Sequence, residues 1–164
     1  MPLWRISRHR DLKGEGGMRA SGRWHHRGSP IVYLTETPAA ALLETCVHTS
    51  ANDVPPSFTL MEVFVDEVLI EEFDPRRLSA DWISNLEETR DSGTAWLRSL
   101  RPGLLRVPSA LVPATFNVLL NPLHSDATKV RITGFYDYPF DPRIKKSPMK
   151  LSDDLSCLHP ALKN

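Results

Sequence analysis

Gly14-Glu15-Gly16-Gly17-Met18-Arg19-Ala20-Ser21-Gly22-Arg23-Trp24-His25 leads into Ile31-Val32-Tyr33-Leu34, and this passage decides how the chain reads. Its first part gathers four glycines and two arginines around a Trp-His pair. Glycine lets the backbone take positive φ and approach a ligand closely, while arginine presents a rigid fork of donors suited to phosphate. Its second part is a short apolar and aromatic run of the kind a buried strand shows. The passage predicts an anion-binding loop that feeds a strand.

Beyond that strand the pattern changes period. Thr37 is placed to cap a helix with Pro38 at its first position, continuing through Ala39-Ala40-Ala41-Leu42-Leu43-Glu44-Thr45-Cys46-Val47-His48. On a helical projection Ala39, Leu43, Cys46 and Val47 form an apolar stripe, with Glu44 at its edge and His48 further along that flank. Further strands are expected at Phe58 to Val65, Val68 to Phe73, Leu104 to Val107, Phe116 to Leu120 and Lys129 to Phe135. Helices are expected at Ala80 to Leu86 and Thr94 to Leu100. Fourteen prolines cut the chain into short elements, which argues against a helical bundle and for strands joined by turns. Residues 1–144 read as one domain, and 145–164 as a loosely packed C-terminal tail or a part of the same domain.

The 164 residues suffice for a single core. Twenty Lys and Arg balance twenty Asp and Glu. No net field therefore draws the chain to nucleic acid or a membrane, and a cationic site has to arise by local clustering. Arg5, Arg8, Arg10, Lys13, Arg19, Arg23 and Arg27, with His9, His25 and His26, form such a cluster in sequence. Cys46 and Cys157 are the only cysteines and lack metal or disulfide spacing, and the N-terminus shows no secretory pattern, which reads as a reduced, cytoplasmic protein. No apolar run approaches the ~20 residues of a membrane helix. His25-His26 does not read as a metal site, because no carboxylate or cysteine stands at ligand spacing and the six histidines are dispersed.

A second constellation lies in the C-terminal half, where Arg106-Val107-Pro108-Ser109-Ala110-Leu111-Val112-Pro113 is followed by Asn117-Val118-Leu119-Leu120-Asn121-Pro122-Leu123-His124. Small polar side chains at the ends of apolar strands suit orienting hydrogen bonds at the mouth of a pocket. Each residue singled out also has an ordinary structural reading. Arg23 can be a surface or packing residue, Tyr33 a core aromatic whose hydroxyl finds a partner, Glu44 an i,i+4 partner of His48, and Ser109 the start of a turn.

Taken together, the motifs resemble the RES-domain proteins, toxins of bacterial toxin–antitoxin pairs named for characteristic Arg, Glu and Ser residues. The resemblance covers Trp4-Arg5-Ile6, the loop from Gly14 to His25, Gly28-Ser29-Pro30-Ile31-Val32-Tyr33 and Ala41-Leu42-Leu43-Glu44 to Val47-His48. It continues through Val107-Pro108-Ser109, Asn117 to Pro122 with His124, and Phe140-Asp141-Pro142-Arg143. It implies an α+β, ADP-ribosyltransferase-like mixed domain, with a split, mainly antiparallel β-sheet core and flanking short helices around an NAD pocket. It further implies that NAD+ is consumed at the nicotinamide–ribose bond, by degradation or by ADP-ribosyl transfer, with Arg23, Tyr33, Glu44 and Ser109 as the catalytic set. A cognate helix-turn-helix antitoxin is the implied partner. Nothing in the sequence specifies or forbids a homodimer.

Breaking that bond builds an oxocarbenium-like transition state, which calls for phosphate anchors, a ring to pack the nicotinamide, and negative charge near the ribose. Arg23 is expected to anchor phosphate or ribose with help from Arg19 or Arg5, Tyr33 to stack, Glu44 to stabilise the developing cation, and Ser109 to orient the substrate. Trp24, His25 and Asn117 are further NAD-contacting candidates. Two other classes remain open: a nucleotide-binding module without turnover, and a ribonuclease-type toxin using the basic cluster with His25 or His26. The chain also departs from the family pattern. Ala114-Thr115-Phe116 stands where an acidic residue is common, and His26 and Arg27 where smaller polar residues are.

Overall fold

Seven strands and three α-helices make up the fold of the described residues. They are β1 (Pro2–Ile6), α1 (Gly16–Arg19), β2 (Val32–Thr35), α2 (Pro38–His48), β3 (Ser57–Phe64), β4 (Ile70–Glu72), α3 (Leu86–Arg98), β5 (Leu104–Pro108), β6 (Phe116–Leu120) and β7 (Arg131–Pro139). The computed structural model describes residues 1–49, 55–99, 101–141, 143 and 144. The tail expected from Lys145, and Pro142 of the Phe140 to Arg143 motif, lie outside the described residues.

The strands form one sheet in the order β4-β5-β6-β2-β1-β3-β7. Only β4 and β5 run parallel, and the other ladders are antiparallel. The central strands are apolar on both faces because both faces are covered. Val32 and Leu34 enter one core with Leu3, Met61, Leu104 and Leu120. Leu105, Val107 and Leu119 enter the other with Trp24, Phe73 and Trp96. Uninterrupted apolar runs such as Val118-Leu119-Leu120 are the sequence signature of that double burial.

Antiparallel order fails at one seam. β1 pairs with β3 from Pro2 through Ile6, and β2 with β6 from Val32 through Thr35, yet β1 meets β2 only at Trp4 and Thr35. Continuing that register would set Ile6 opposite Tyr33, but the strands part. The Arg5 guanidinium reaches across instead and donates to the Tyr33 carbonyl oxygen at 3.3 Å. The Thr35 hydroxyl pins the last pair by donating to the Trp4 carbonyl at 3.2 Å. The split expected of the sheet is this parting.

Helix α2 follows the sequence reading in its bounds. Thr37 accepts from the Ala40 N–H at 3.1 Å, and Pro38 opens the first turn, a cap worth about 1 kcal/mol. The expected apolar stripe is corrected, however. Ala39, Leu43 and Val47 are exposed, whereas Ala41 is buried. Apolar residues surround this helix, so periodicity selects no face, and the small Ala41 is what fits against the sheet.

The two helices expected around residues 80–100 are corrected to one. Residues 80–84 form a turn, closed by the Ser84 N–H donating to the Asp81 carbonyl at 2.9 Å, and α3 runs unbroken from Leu86 to Arg98. Glu88 of α3 holds the turn by accepting from the Ser79 N–H at 2.7 Å. The expected strand from Val68 to Phe73 is shortened to Ile70–Glu72 behind a 3-10 turn at Glu67–Leu69, capped by the Asp66 carboxylate.

Helix α3 acts as a splint for the glycine-arginine loop. The Thr89 hydroxyl donates to the Arg23 carbonyl at 2.7 Å, Arg90 Nε to the Gly22 carbonyl at 3.0 Å, and the His26 N–H to the Thr94 hydroxyl at 3.0 Å. Gly93 lies between these contacts, and a Cβ there would overlap the Trp24 carbonyl. We expect Gly93→Ala to cost about 1–3 kcal/mol by overpacking, measured as a lowered melting temperature. An unchanged melting temperature contradicts this account of the splint.

Candidate functional site

The parting of β1 from β2 opens a cavity of about 480 Å³ bounded by those strands, by α2 and by the Gly22–Trp24 turn. Its wall includes Arg5, Arg23, Tyr33, Glu44 and Asn117. That volume falls within the ~300–1,000 Å³ of small-molecule sites.

Glu44 enters this cavity from the middle of α2. Asn117 Nδ2 donates to Glu44 Oε1 at 2.8 Å, and the Ser109 hydroxyl reaches the same oxygen at 3.5 Å. Asn117 sits buried near the start of β6, so a rigid strand aims its amide. Ser109 follows the end of β5 and is held by its own loop, its N–H donating to the Thr115 carbonyl at 2.9 Å and its hydroxyl accepting from the Leu111 N–H at 3.2 Å. In this loop Ala114 takes φ 60°. Both contacts use Oε1, and among the described residues no hydrogen bond uses Oε2.

Tyr33 stands opposite, rising from the centre of β2. Its hydroxyl accepts from the Trp24 N–H at 3.0 Å and lies 2.9 Å from His25 Nδ1. The ring's other nitrogen, Nε2, lies 3.1 Å from the Ala20 carbonyl, which has to accept, and the Gly22 N–H donates to Nδ1 at 3.2 Å. These partners fix the proton on Nε2 and make Nδ1 the acceptor from Tyr33. Burial pushes the His25 imidazolium below its ordinary range, only partly opposed by the Ala20 carbonyl. Burial likewise pushes the Tyr33 phenol up, partly opposed by the Trp24 N–H and reinforced by Glu44. A neutral imidazole therefore braces a neutral phenol.

The cations around the cavity divide into working and supporting roles. Arg23 lines it and spends one arm on the Ile83 carbonyl at 2.7 Å. Arg5 also lines it, lowered from its ordinary value by burial with Asp11 opposing, and its Nε has no partner among the described residues. Two other members of the basic cluster read from sequence are held elsewhere. Arg10 pairs with Asp137 at 2.9 Å, and His26 pairs with Asp91 at 2.8 Å. His26, Glu87 and Asp91 bring a ring nitrogen and two carboxylates within 4.8 Å of one another, an exposed group outside the cavity that Arg90 joins through Glu87.

Of the residues singled out from sequence, Arg23, Trp24, Tyr33, Glu44 and Asn117 line the cavity. Ser109 touches it through Glu44. His25 lies behind Tyr33. The Trp24 indole is buried edge-on against Phe73, with centroids 5.1 Å apart. Sequence reasoning missed Arg90, the clamp on Gly22, because its only local signal is an i,i+3 pairing with Glu87.

The His25 environment sets a pH dependence. The folded state resists a proton that the unfolded chain accepts near pH 6.5, so stability is held above that pH and lost as pH falls through the lowered value. Thermal melts between pH 7.5 and 5 should decline more steeply for the wild type than for His25→Gln, and parallel declines contradict the assignment.

Comparison with known proteins places the chain in a wider group. The family profile described as RES domain matches residues 2–141. A protein named Toxin Res from Pseudomonas putida KT2440 is 40% identical over 134 residues, covering 80% of this chain and 92% of that protein. A protein named Prs ADP-ribosylating toxin from Sphingobium sp. YBL2 is 37% identical over 139 residues, covering 82% of this chain and 86% of its own length. The toxin–antitoxin complex MbcT–MbcA of M. tuberculosis contains a chain of like fold, with TM-score 0.65 and 20% identity over 88% of this chain and 86% of that one.

Proposed function

We propose that this chain, which belongs to the RES domain family, is the toxin of a toxin–antitoxin pair and consumes NAD+ by cleaving its nicotinamide–ribose bond. The observation that carries the reading is Glu44: a carboxylate fixed through one oxygen by Asn117 and Ser109, in a cavity that also holds Arg5 and Arg23. The relatives named Toxin Res and Prs ADP-ribosylating toxin support it.

In this reading the C1′–N1 bond breaks and its electron pair passes to the nicotinamide nitrogen, which leaves as a neutral base. Positive charge then develops at C1′ and the ring oxygen. Glu44 Oε2 accepts a hydrogen bond from a ribose hydroxyl and stabilises that charge electrostatically. Arg23 and Arg5 hold the diphosphate, and Tyr33 offers its ring to the nicotinamide or ribose. Ser109 and Asn117 orient Glu44 and the sugar, while Trp24 and His25 hold the Tyr33 hydroxyl. Water, phosphate or a protein nucleophile captures the cation and gives up a proton. The described residues contain no helix long and apolar enough to cross a membrane, and we place the reaction in the cytoplasm. A helix-turn-helix antitoxin would restrain it by covering the mouth of the cavity.

Purified chain incubated with NAD+ tests this. Glu44→Gln should slow NAD+ loss by about 10²-fold or more with little change in KM, whereas Arg23→Ala should act mainly by raising KM. Saturable NAD+ binding without turnover would make the chain a nucleotide-binding module, and degradation of RNA by the purified chain would favour a ribonuclease.

A further inference from the structure

A second cavity, of about 240 Å³, adjoins the first and shares Ile6, Thr45 and Thr49 with it. The two lie side by side along β1 and α2, and β3 lines the smaller one. Their linings differ in kind. Where the larger presents Glu44, Tyr33 and Arg23, the smaller presents the rings of Phe58 and Phe140, set edge to face at 6.4 Å and 81°. Tyr138 stacks on Phe58 at 6.4 Å and 20° and fixes that ring in turn. Ser7 and Ser57 line the same cavity, whereas the Thr59 hydroxyl is taken up by the Asp137 carboxylate. The chain running out of β1 carries a guanidinium to each side of the junction: Arg5 lines the larger cavity, Arg8 the smaller, and Ile6 both.

We propose that the smaller cavity is the adenosine subsite beside the larger one. The proposal rests on the reading of the larger cavity as the site that holds the nicotinamide riboside end of NAD+. A ligand that fills both cavities needs an aromatic, hydroxyl-bearing end, a reactive end beside a carboxylate, and an anionic middle passing two arginines. A dinucleotide has that order of parts. The adenine packs against Phe58 and Phe140, as bases pack on aromatic side chains in single-strand binding proteins. The adenosine ribose meets the Ser7 and Ser57 hydroxyls, and the diphosphate, held by Arg23 and Arg5 in the larger cavity, passes Ile6 toward Arg8, whose guanidinium fork suits the adenosine-side phosphate. Phe58 is then a positioning residue for the substrate, held away from the bond that breaks.

AMP carries the adenosine end and one phosphate, and it requires no cleavage to report on the subsite. Calorimetric titration of the full chain with AMP should show saturable binding to the wild type, weakened about tenfold by Phe58→Leu and less than about twofold by Glu44→Gln. Melting curves of the variants verify folding, and Arg8→Ala, outside the packed strands, should weaken AMP in the same direction if Phe58→Leu folds poorly. The proposal is overturned by absence of AMP binding, by equal binding to wild type and Phe58→Leu, or by a Glu44→Gln effect as large as that of Phe58→Leu. AMP bound at Phe58 by a chain that leaves NAD+ intact would remove the proposed reaction and keep the subsite. NAD+ cleavage without AMP binding would do the reverse.

Discussion

The separation of β1 from β2 beyond the Trp4–Thr35 pair is the constraint on which the rest of the structure depends. A sheet that parts leaves peptide groups without ladder partners, and each buried orphan costs about 1–3 kcal/mol. Arg5 meets the need by donating to the Tyr33 carbonyl, and Thr35 closes the last pair with its hydroxyl. A charged side chain thus takes the place of a strand's N–H, and a cavity exists where a ladder would have been. The cost remains visible in Arg5 Nε, buried without a partner among the described residues.

Everything that bears on the chemistry is then braced against this gap from outside it. On one side α3 grips the loop through Thr89, Arg90 and Thr94, and the loop in turn holds the Tyr33 hydroxyl through the Trp24 N–H and His25. On the other, strand-borne Asn117 and loop-borne Ser109 fix one oxygen of Glu44. The ring and the carboxylate come from elements with independent supports, as preorganised sites require. The glycines serve this bracing more than they serve an anion. Gly22 lies where a Cβ would meet the Tyr33 hydroxyl at 2.6 Å, and Gly14 turns the chain at φ 67° against Ile31.

Much of this was legible in the sequence, for reasons that can be named. The strand at Val32, the Thr37–Pro38 start of α2, and β3, β5 and β6 each follow from local patterns the chain makes strong: apolar runs buried on two faces, and a cap followed by proline. The convergence of Glu44, Tyr33, Arg23 and Asn117 came from motif resemblance, since periodicity alone put Glu44 at the edge of a stripe that turns out to be exposed. The single helix at Leu86–Arg98 was missed because Gly93 and two threonines, poor helix formers, occupy its interior. Those residues are there to let the loop approach, a tertiary demand that local pattern does not encode. The role of Arg5 was equally hidden, because no sequence rule announces that two neighbouring strands will part.

The most direct test of the whole account is which bond of NAD+ the purified chain breaks. Chromatography of the products over time should show nicotinamide appearing in step with the loss of NAD+, with the diphosphate intact in the ADP-ribosyl product. Release of AMP with nicotinamide mononucleotide, which marks cleavage at the diphosphate, or NAD+ that persists unchanged, would contradict the assignment of Glu44 to a carbon centre of the nicotinamide ribose.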